Sequence, residues 1–250
     1  MKTAIITGAS SGLGREYFKV LTEIYPDIEE FWLVARRENR LRELAESVPN
    51  AKCLILPLDL TKTEAVELYR QKLEEKKPEV EILICNAGFG KLGDAVDIPV
   101  VDQTDMVTLN CTALTAITLL TIPYMKKGSS IIEVASIAAF SPTPRMTVYS
   151  STKAYVLSFA RGLRRELKEK GINVLAVCPG PMDTEFFDVA DAKGRSKLLQ
   201  IMPRCSVREV AYRSVVQARK GKGVYTNKSI YKFYRILTKL LPDSVTMRKL

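Results

Sequence analysis

The chain has no histidine. That excludes Ser-His and Cys-His catalysis and most zinc or iron chemistry, so any acid/base must be another side chain. Its five cysteines, Cys53, Cys85, Cys111, Cys178 and Cys205, stand apart from one another. An odd count without CxxC spacing argues against a disulfide framework or a metal site. Those inside apolar runs read as small buried hydrophobes. No Gly-Lys-Ser/Thr follows the one glycine-rich turn, so there is no Walker A loop. No run of Lys and Arg resembles a basic arm, and no apolar segment is expected to cross a bilayer. The strand-like Lys2-Thr3-Ala4-Ile5-Ile6 follows Met1 directly, so no leader is expected, and a reducing cytoplasm is the expected compartment.

What is present is a balance of 46% hydrophobic and 26% charged residues in 250, that of a globular protein with a large core. The formal charge of +10 fits nucleic acid, an anionic membrane surface, or an anionic cofactor and substrate. With the basic residues dispersed, nucleic acid is not favoured as a partner. No linker, internal repeat or low-complexity tract interrupts residues 1–250, so one domain is expected.

The first apolar run, Thr3 to Thr7, ends in Gly8-Ala9-Ser10-Ser11-Gly12-Leu13-Gly14, and Tyr17, Phe18, Leu21 and Ile24 then recur at helical spacing. This reads as strand, glycine-rich turn, helix. The turn is either an ordinary tight turn or a pyrophosphate site, with backbone N–H groups at the helix start. A second strand, Phe31 to Ala35, is followed by Arg36 and Arg37 where a dinucleotide fold often has an acidic residue for the ribose 2′-hydroxyl. A guanidinium there favours a 2′-phosphate, and hence NADP(H) over NAD(H); the alternative is a solvated helix start. Further strands end at Asp59-Leu60 and at Asn86-Ala87-Gly88. Strands alternating with helices imply an α/β fold, a Rossmann-like doubly wound parallel sheet, whose ligands bind beyond the strands' carboxyl ends.

Residues 102–125 read as a long buried helix holding Asn110, which must find partners locally or serve a site. Ser136 stands at the end of the fifth strand. Tyr149 and Lys153 are one helical turn apart on one face. An ammonium beside a phenol lowers its pKa from the ordinary value of about 10, which suits a general acid/base. The sixth strand ends in Pro179-Gly180-Pro181, with Thr184 beyond. The stretch 181–205 is expected to be a substrate lid, and 229–250 an amphipathic helical tail. In that tail Ile230, Phe233, Tyr234, Leu237 and Leu241 share one face and Lys232, Arg235 and Lys239 the other. Packing of the apolar face on the domain is the favoured reading. The alternative is a peripheral membrane contact.

Taken together, Thr7 to Gly14, Asp59-Leu60, Asn86-Ala87-Gly88, Asn110, Ser136, Tyr149 with Lys153, and Pro179-Gly180 with Thr184 make the chain resemble the short-chain dehydrogenase/reductase family, in its compact single-domain branch. The resemblance implies an NADP(H)-dependent oxidoreductase working between a carbonyl and a secondary alcohol, assembled as a homodimer or homotetramer. It implies four catalytic residues. Tyr149 would be the proton donor, Lys153 would lower its pKa and hold the nicotinamide ribose, Ser136 would hold the substrate oxygen, and Asn110 would position a relay water. For the cofactor it implies Gly8, Ser10, Ser11, Gly12, Leu13 and Gly14 at the pyrophosphate and Asp59 with Leu60 at the adenine. Asn86, Ala87 and Gly88 would line the adenosine side, and Pro179, Gly180 and Thr184 the carboxamide side. The substrate stays open among a 3-oxoacyl thioester, a steroid-like ketone and a small xenobiotic carbonyl, and a nucleotide-binding regulator without turnover is the competing class.

Overall fold

Short runs of apolar residues form seven strands: β1 (Lys2–Thr7), β2 (Glu30–Ala35), β3 (Cys53–Pro57), β4 (Glu79–Cys85), β5 (Met125–Val134), β6 (Asn173–Val177) and β7 (Val224–Tyr225). The computed structural model describes residues 1–186, 190, 202–242 and 245. The strands make one sheet, ordered β3-β2-β1-β4-β5-β6-β7, with every pairing parallel. Parallel neighbours need long crossovers. Helices supply them: α1 (Gly12–Ile24), α2 (Glu38–Glu46), α3 (Thr63–Lys76), α4 (Val100–Val107), α5 (Leu114–Thr121), α6 (Thr147–Glu166) and α7 (Val207–Arg219), followed by α8 (Ser229–Leu240).

Successive strand residues face opposite sides, and both sides are covered. Ala4, Ile6 and Leu33 pack with Phe18 and Leu21 of α1, Leu41 of α2 and Val215 of α7. Ile5, Trp32 and Val34 pack with Tyr69 of α3, Ile117 of α5 and Val156 of α6. The result is the doubly wound, Rossmann-like single domain expected. Because β1 is flanked by β2 on one side and β4 on the other, the chain reverses its winding there, and a crevice opens at the carboxyl ends of these strands.

Two expectations about helices need correcting. Val100–Tyr124 is one helical run of 25 residues containing an 18-residue window of mean hydropathy 1.5, long and apolar enough by length and composition alone to cross a membrane. Nor is it wholly buried: Met106, Asn110, Ala113, Leu114, Ile117, Thr118 and Thr121 face inward, while Val100, Val101, Val107 and Leu119 are exposed. It covers one face of the sheet and leaves an apolar face outside. Its middle, Thr108–Ala113, widens into a π turn around Asn110.

The face of α8 expected to pack is largely outside. Tyr231 is the buried residue of the helix, with Tyr234, Leu237 and Thr238 half-buried, whereas Ile230, Phe233 and Leu241 are exposed. Residues 243, 244 and 246–250 of the tail lie outside the described residues, as do 187–189 and 191–201 of the expected lid. The ends of the lid segment are tied, since Met182 bridges Cys205 and the Cys205 N–H donates to the Pro181 carbonyl at 2.8 Å.

Among the described residues one carboxyl group has no exposure, Glu133 on β5, which accepts a hydrogen bond from Thr118 Oγ1 at 2.8 Å. Burial pushes its pKa up to about 8, against the hydrogen bonds of Thr118 and Cys85 and the charge of Lys153. The folded chain therefore keeps a proton that the unfolded chain releases above about pH 4. This contribution to stability is complete below that pH. It is lost as pH rises towards 8, at up to about 1.4 kcal/mol per unit. Glu133→Gln cannot ionise, so its Tm relative to wild type should rise from pH 5 to pH 8 by several degrees; a difference independent of pH would exclude Glu133 as the titrating group.

Candidate functional site

At the crevice the chain is sewn together by one asparagine. The Asn86 and Ala87 N–H groups both donate to Thr7 Oγ1 at 3.0 Å, and Asn86 Nδ2 donates to the carbonyls of Thr7 and Gly8 at 3.1 and 3.3 Å. The ends of β1 and β4 are thereby locked side by side. A Cβ on Gly14 would sit 2.1 Å from the Gly8 carbonyl oxygen, and one on Gly8 would sit 2.7 Å from Asn86 Nδ2, with φ at +67°. Only glycine lets the turn close this tightly. At the N-cap of α1, Ser11 makes no side-chain capping bond, which leaves the first-turn N–H groups for an anion.

Beyond this turn lies a cavity of about 690 Å³, and every residue expected at the cofactor lines it except Gly14, which sits behind the turn. Arg36 and Arg37 stand at its β2 edge. Arg36 is exposed and makes no ion pair among the described residues. Arg37 donates to Ser10 Oγ at 3.3 Å and pairs with Glu185 at 2.9 Å, and Arg40 joins the same carboxylate. Asp59 Oδ1 accepts from the N–H and hydroxyl of Thr61, which fixes the turn after β3. The donor set fits a dinucleotide: free N–H groups at a glycine turn, guanidinium groups at the edge, and an acidic residue, Asp59, after β3 on the same cavity wall.

At the other end of the cavity stand the four residues expected at the reacting centre. Ser136, N-cap of a short 3₁₀ turn, accepts from the Ala138 N–H at 3.1 Å and lines the cavity together with the Tyr149 phenol. Lys153, buried on the same face of α6, places Nζ 5.8 Å from the Tyr149 ring centroid and donates to the Val134 carbonyl at 2.9 Å. Asn110 uses both amide hydrogens, on the Phe89 carbonyl and Thr152 Oγ1, and accepts from the Phe89 N–H at 3.1 Å. It thus pins the loop after β4 across the π turn; the spare lone pair of Oδ1 is what remains for a water. A Cβ on Gly88 would lie 2.8 Å from Asn110 Oδ1 and 3.3 Å from Lys153 Nζ, so this glycine admits both groups.

The expected lowering of the Tyr149 pKa is not found. Burial pushes the phenol up to about 12, with the Ser136 hydroxyl opposing. Burial also pulls Lys153 down to about 8, against the fields of Cys111, Cys178 and Glu133. Spacing indicated that the two groups are neighbours. It could not show that desolvation of both outweighs their mutual attraction.

Several cavity residues had no motif to announce them. The Phe186 ring lies 5.4 Å from the Tyr149 ring, tilted by 51° to it, and Tyr231 and Tyr234 of α8 form a wall. A Cβ on Gly180 would lie 2.2 Å from the Tyr231 ring, while the Gly180 N–H donates to Asn227 Oδ1 and the Tyr231 hydroxyl to the Pro203 carbonyl. The C-terminal helix therefore sits directly on the Pro179-Gly180 turn.

Comparison with known proteins places this geometry. An uncharacterized oxidoreductase of Staphylococcus epidermidis is 31% identical over 199 residues, covering 79% of this chain and 85% of that one. A short-chain dehydrogenase from Sphingobium yanoikuyae, solved in complex with NADPH, superimposes with a TM-score of 0.83 at 27% identity, over 100% of this chain and 96% of that one. A bulky-bulky ketone specific alcohol dehydrogenase from Comamonas testosteroni gives a TM-score of 0.76 at 26% identity, over 100% and 95%. The family model for short chain dehydrogenase matches residues 2–194, which span the glycine turn, the crevice and all four residues expected at the reacting centre, and the chain belongs to that family of oxidoreductases.

Proposed function

We propose that the protein is an NADP(H)-dependent reductase of carbonyl compounds with bulky apolar bodies, acting through Tyr149 as proton donor. The observation that carries the reading is the Tyr149 phenol itself. It is buried, lines the cavity together with Ser136, and is kept protonated by its burial, the form a proton donor needs.

The bound nicotinamide supplies hydride chemistry, and the chain's own residues do the rest. Tyr149 gives its proton to the carbonyl oxygen as that oxygen becomes an alcohol. Ser136 holds the same oxygen and stabilises the charge developing on it. Lys153 holds the ribose hydroxyls and steadies the phenolate that Tyr149 leaves, and Asn110 keeps the loop carrying Gly88 in register with Lys153. Gly8, Ser10, Ser11, Gly12, Leu13 and Gly14 hold the pyrophosphate. Asp59 and Leu60 hold the adenine, Asn86 to Gly88 line the adenosine side, and Pro179, Gly180 and Thr184 meet the carboxamide. Arg36 and Arg37 support NADP(H) over NAD(H), as does the NADPH complex of the Sphingobium relative. The aromatic and aliphatic wall of Phe186, Met146, Met202 and Tyr234 supports a bulky apolar substrate, as does the ketone preference in the Comamonas enzyme's name. The five cysteines, all unpaired, support a reducing compartment such as the cytoplasm. The exposed apolar residues Val100, Val101, Val107 and Leu119, beside the stacked Tyr155 and Phe159 of α6, support a homodimer or homotetramer built on this face.

Tyr149→Phe keeps the ring and removes the proton. Turnover of a bulky ketone with NADPH should fall about 10²–10⁴-fold, with NADPH binding kept; near-normal turnover would overturn the assignment. Arg36→Asp should lower the NADPH-to-NADH ratio of kcat/KM by about tenfold or more, since it replaces a phosphate partner by a hydroxyl acceptor. Equal use of both cofactors by wild type would refute the preference. Light scattering at micromolar concentration should give the mass of two or four chains, and a monomer mass would dismiss the assembly.

A further inference from the structure

We propose that the outer face of α8 is a docking surface for an anionic lipid bilayer. The inner face of this helix is accounted for: Tyr231 packs on Gly180 and bonds Pro203, and the Tyr234 ring lies 6.2 Å from that of Phe140. Among the described residues the outer face is unpartnered. Phe233 is 63% exposed, Ile236 57% and Leu240 75%. At about 100° per residue these three fall within an arc of about 60°, one apolar stripe pointing away from the buried Tyr231. Ile230 extends the stripe and also lines the cavity, so the two apolar surfaces are continuous.

Charge selects the occupant. Lys232 and Lys239 are exposed along one border of the stripe, and Lys228 is exposed at the helix start. From Val210 to Pro242 the chain holds no acidic residue at all. A second copy seated by two-fold symmetry would bring the same lysines together, because such an interface uses one patch twice. An anionic headgroup layer instead meets the lysines with opposite charge while the stripe enters the acyl boundary, which is how interfacial helices bind. Bulk charge alone would not need the stripe, and apolar burial alone would not need the lysines; the helix has both, on adjoining arcs.

The docking does not depend on the reductase reading, because it is measured by sedimentation rather than by turnover. Full-length protein is spun with vesicles of phosphatidylcholine alone or mixed equally with phosphatidylglycerol, at low and at moderate salt. It should pellet with the mixed vesicles at low salt and be released as salt rises. Phe233→Ser with Ile236→Ser and Leu240→Ser should lower the bound fraction at least tenfold, and so should Lys232→Glu with Lys239→Glu. These side chains are solvent-exposed, so unchanged circular dichroism and NADPH-dependent turnover of a water-soluble ketone are expected in both variants. The proposal is overturned if wild type stays in the supernatant with anionic vesicles, or if the serine variant pellets as wild type does. It is equally overturned if the serine substitutions change the mass in light scattering and leave vesicle binding unaltered, since the face then serves a protein contact.

Discussion

Everything at the site depends on the seam between β1 and β4. Two adjacent strands in a parallel sheet would normally diverge into their separate crossover loops at their carboxyl ends. Here Thr7 and Asn86 spend backbone and side-chain hydrogen bonds on each other, and the Gly8 turn lies against the Asn86 amide with no room for a side chain. The seam sets where α1 begins and where the loop after β4 starts. Asn110 takes hold of that same loop at Phe89, and Thr152, the residue before Lys153 on α6, receives the other Asn110 hydrogen. Two sets of hydrogen bonds, joined by the short loop from Asn86 to Phe89, thus link the glycine turn to the helix bearing Tyr149 and Lys153.

Burial is the second constraint, and it acts on protons. Tyr149, Lys153 and Glu133 all lose water on folding, and each shifts towards its neutral form. The phenol is held protonated and the amine is brought near the edge of deprotonation, both by loss of water. The attraction between phenolate and ammonium gains importance only as the phenol's proton departs.

Local chemistry made much of this legible in the sequence. Gly8, Gly12 and Gly14 report a turn, Asn86 stands at a strand end, and the interval between Tyr149 and Lys153 is one helical turn, all readable from spacing. What spacing cannot report is which distant surface a side chain meets. Tyr231 lies about fifty residues beyond the glycine it covers, and Glu185 finds Arg37 and Arg40 from the far side of the cleft. The tail shows the same limit: α8 carries apolar residues around much of its circumference, so periodicity detects the helix without saying which arc packs. The two aspartates early in Val100–Tyr124 masked a charge-free stretch that runs on to its end.

The contact between Tyr231 and Gly180 has a consequence for the order in which the enzyme is completed. A chain leaving the ribosome acquires β1 to β4, and with them the glycine turn and its seam, within its first third. The reacting centre follows with α6. The wall over the Pro179-Gly180 turn is contributed by residues near position 231, so a nascent chain possesses its nucleotide turn long before it possesses a closed cavity. Until α8 has emerged and folded back, the cavity beside Tyr149 stays open to water on the side of the Pro179-Gly180 turn.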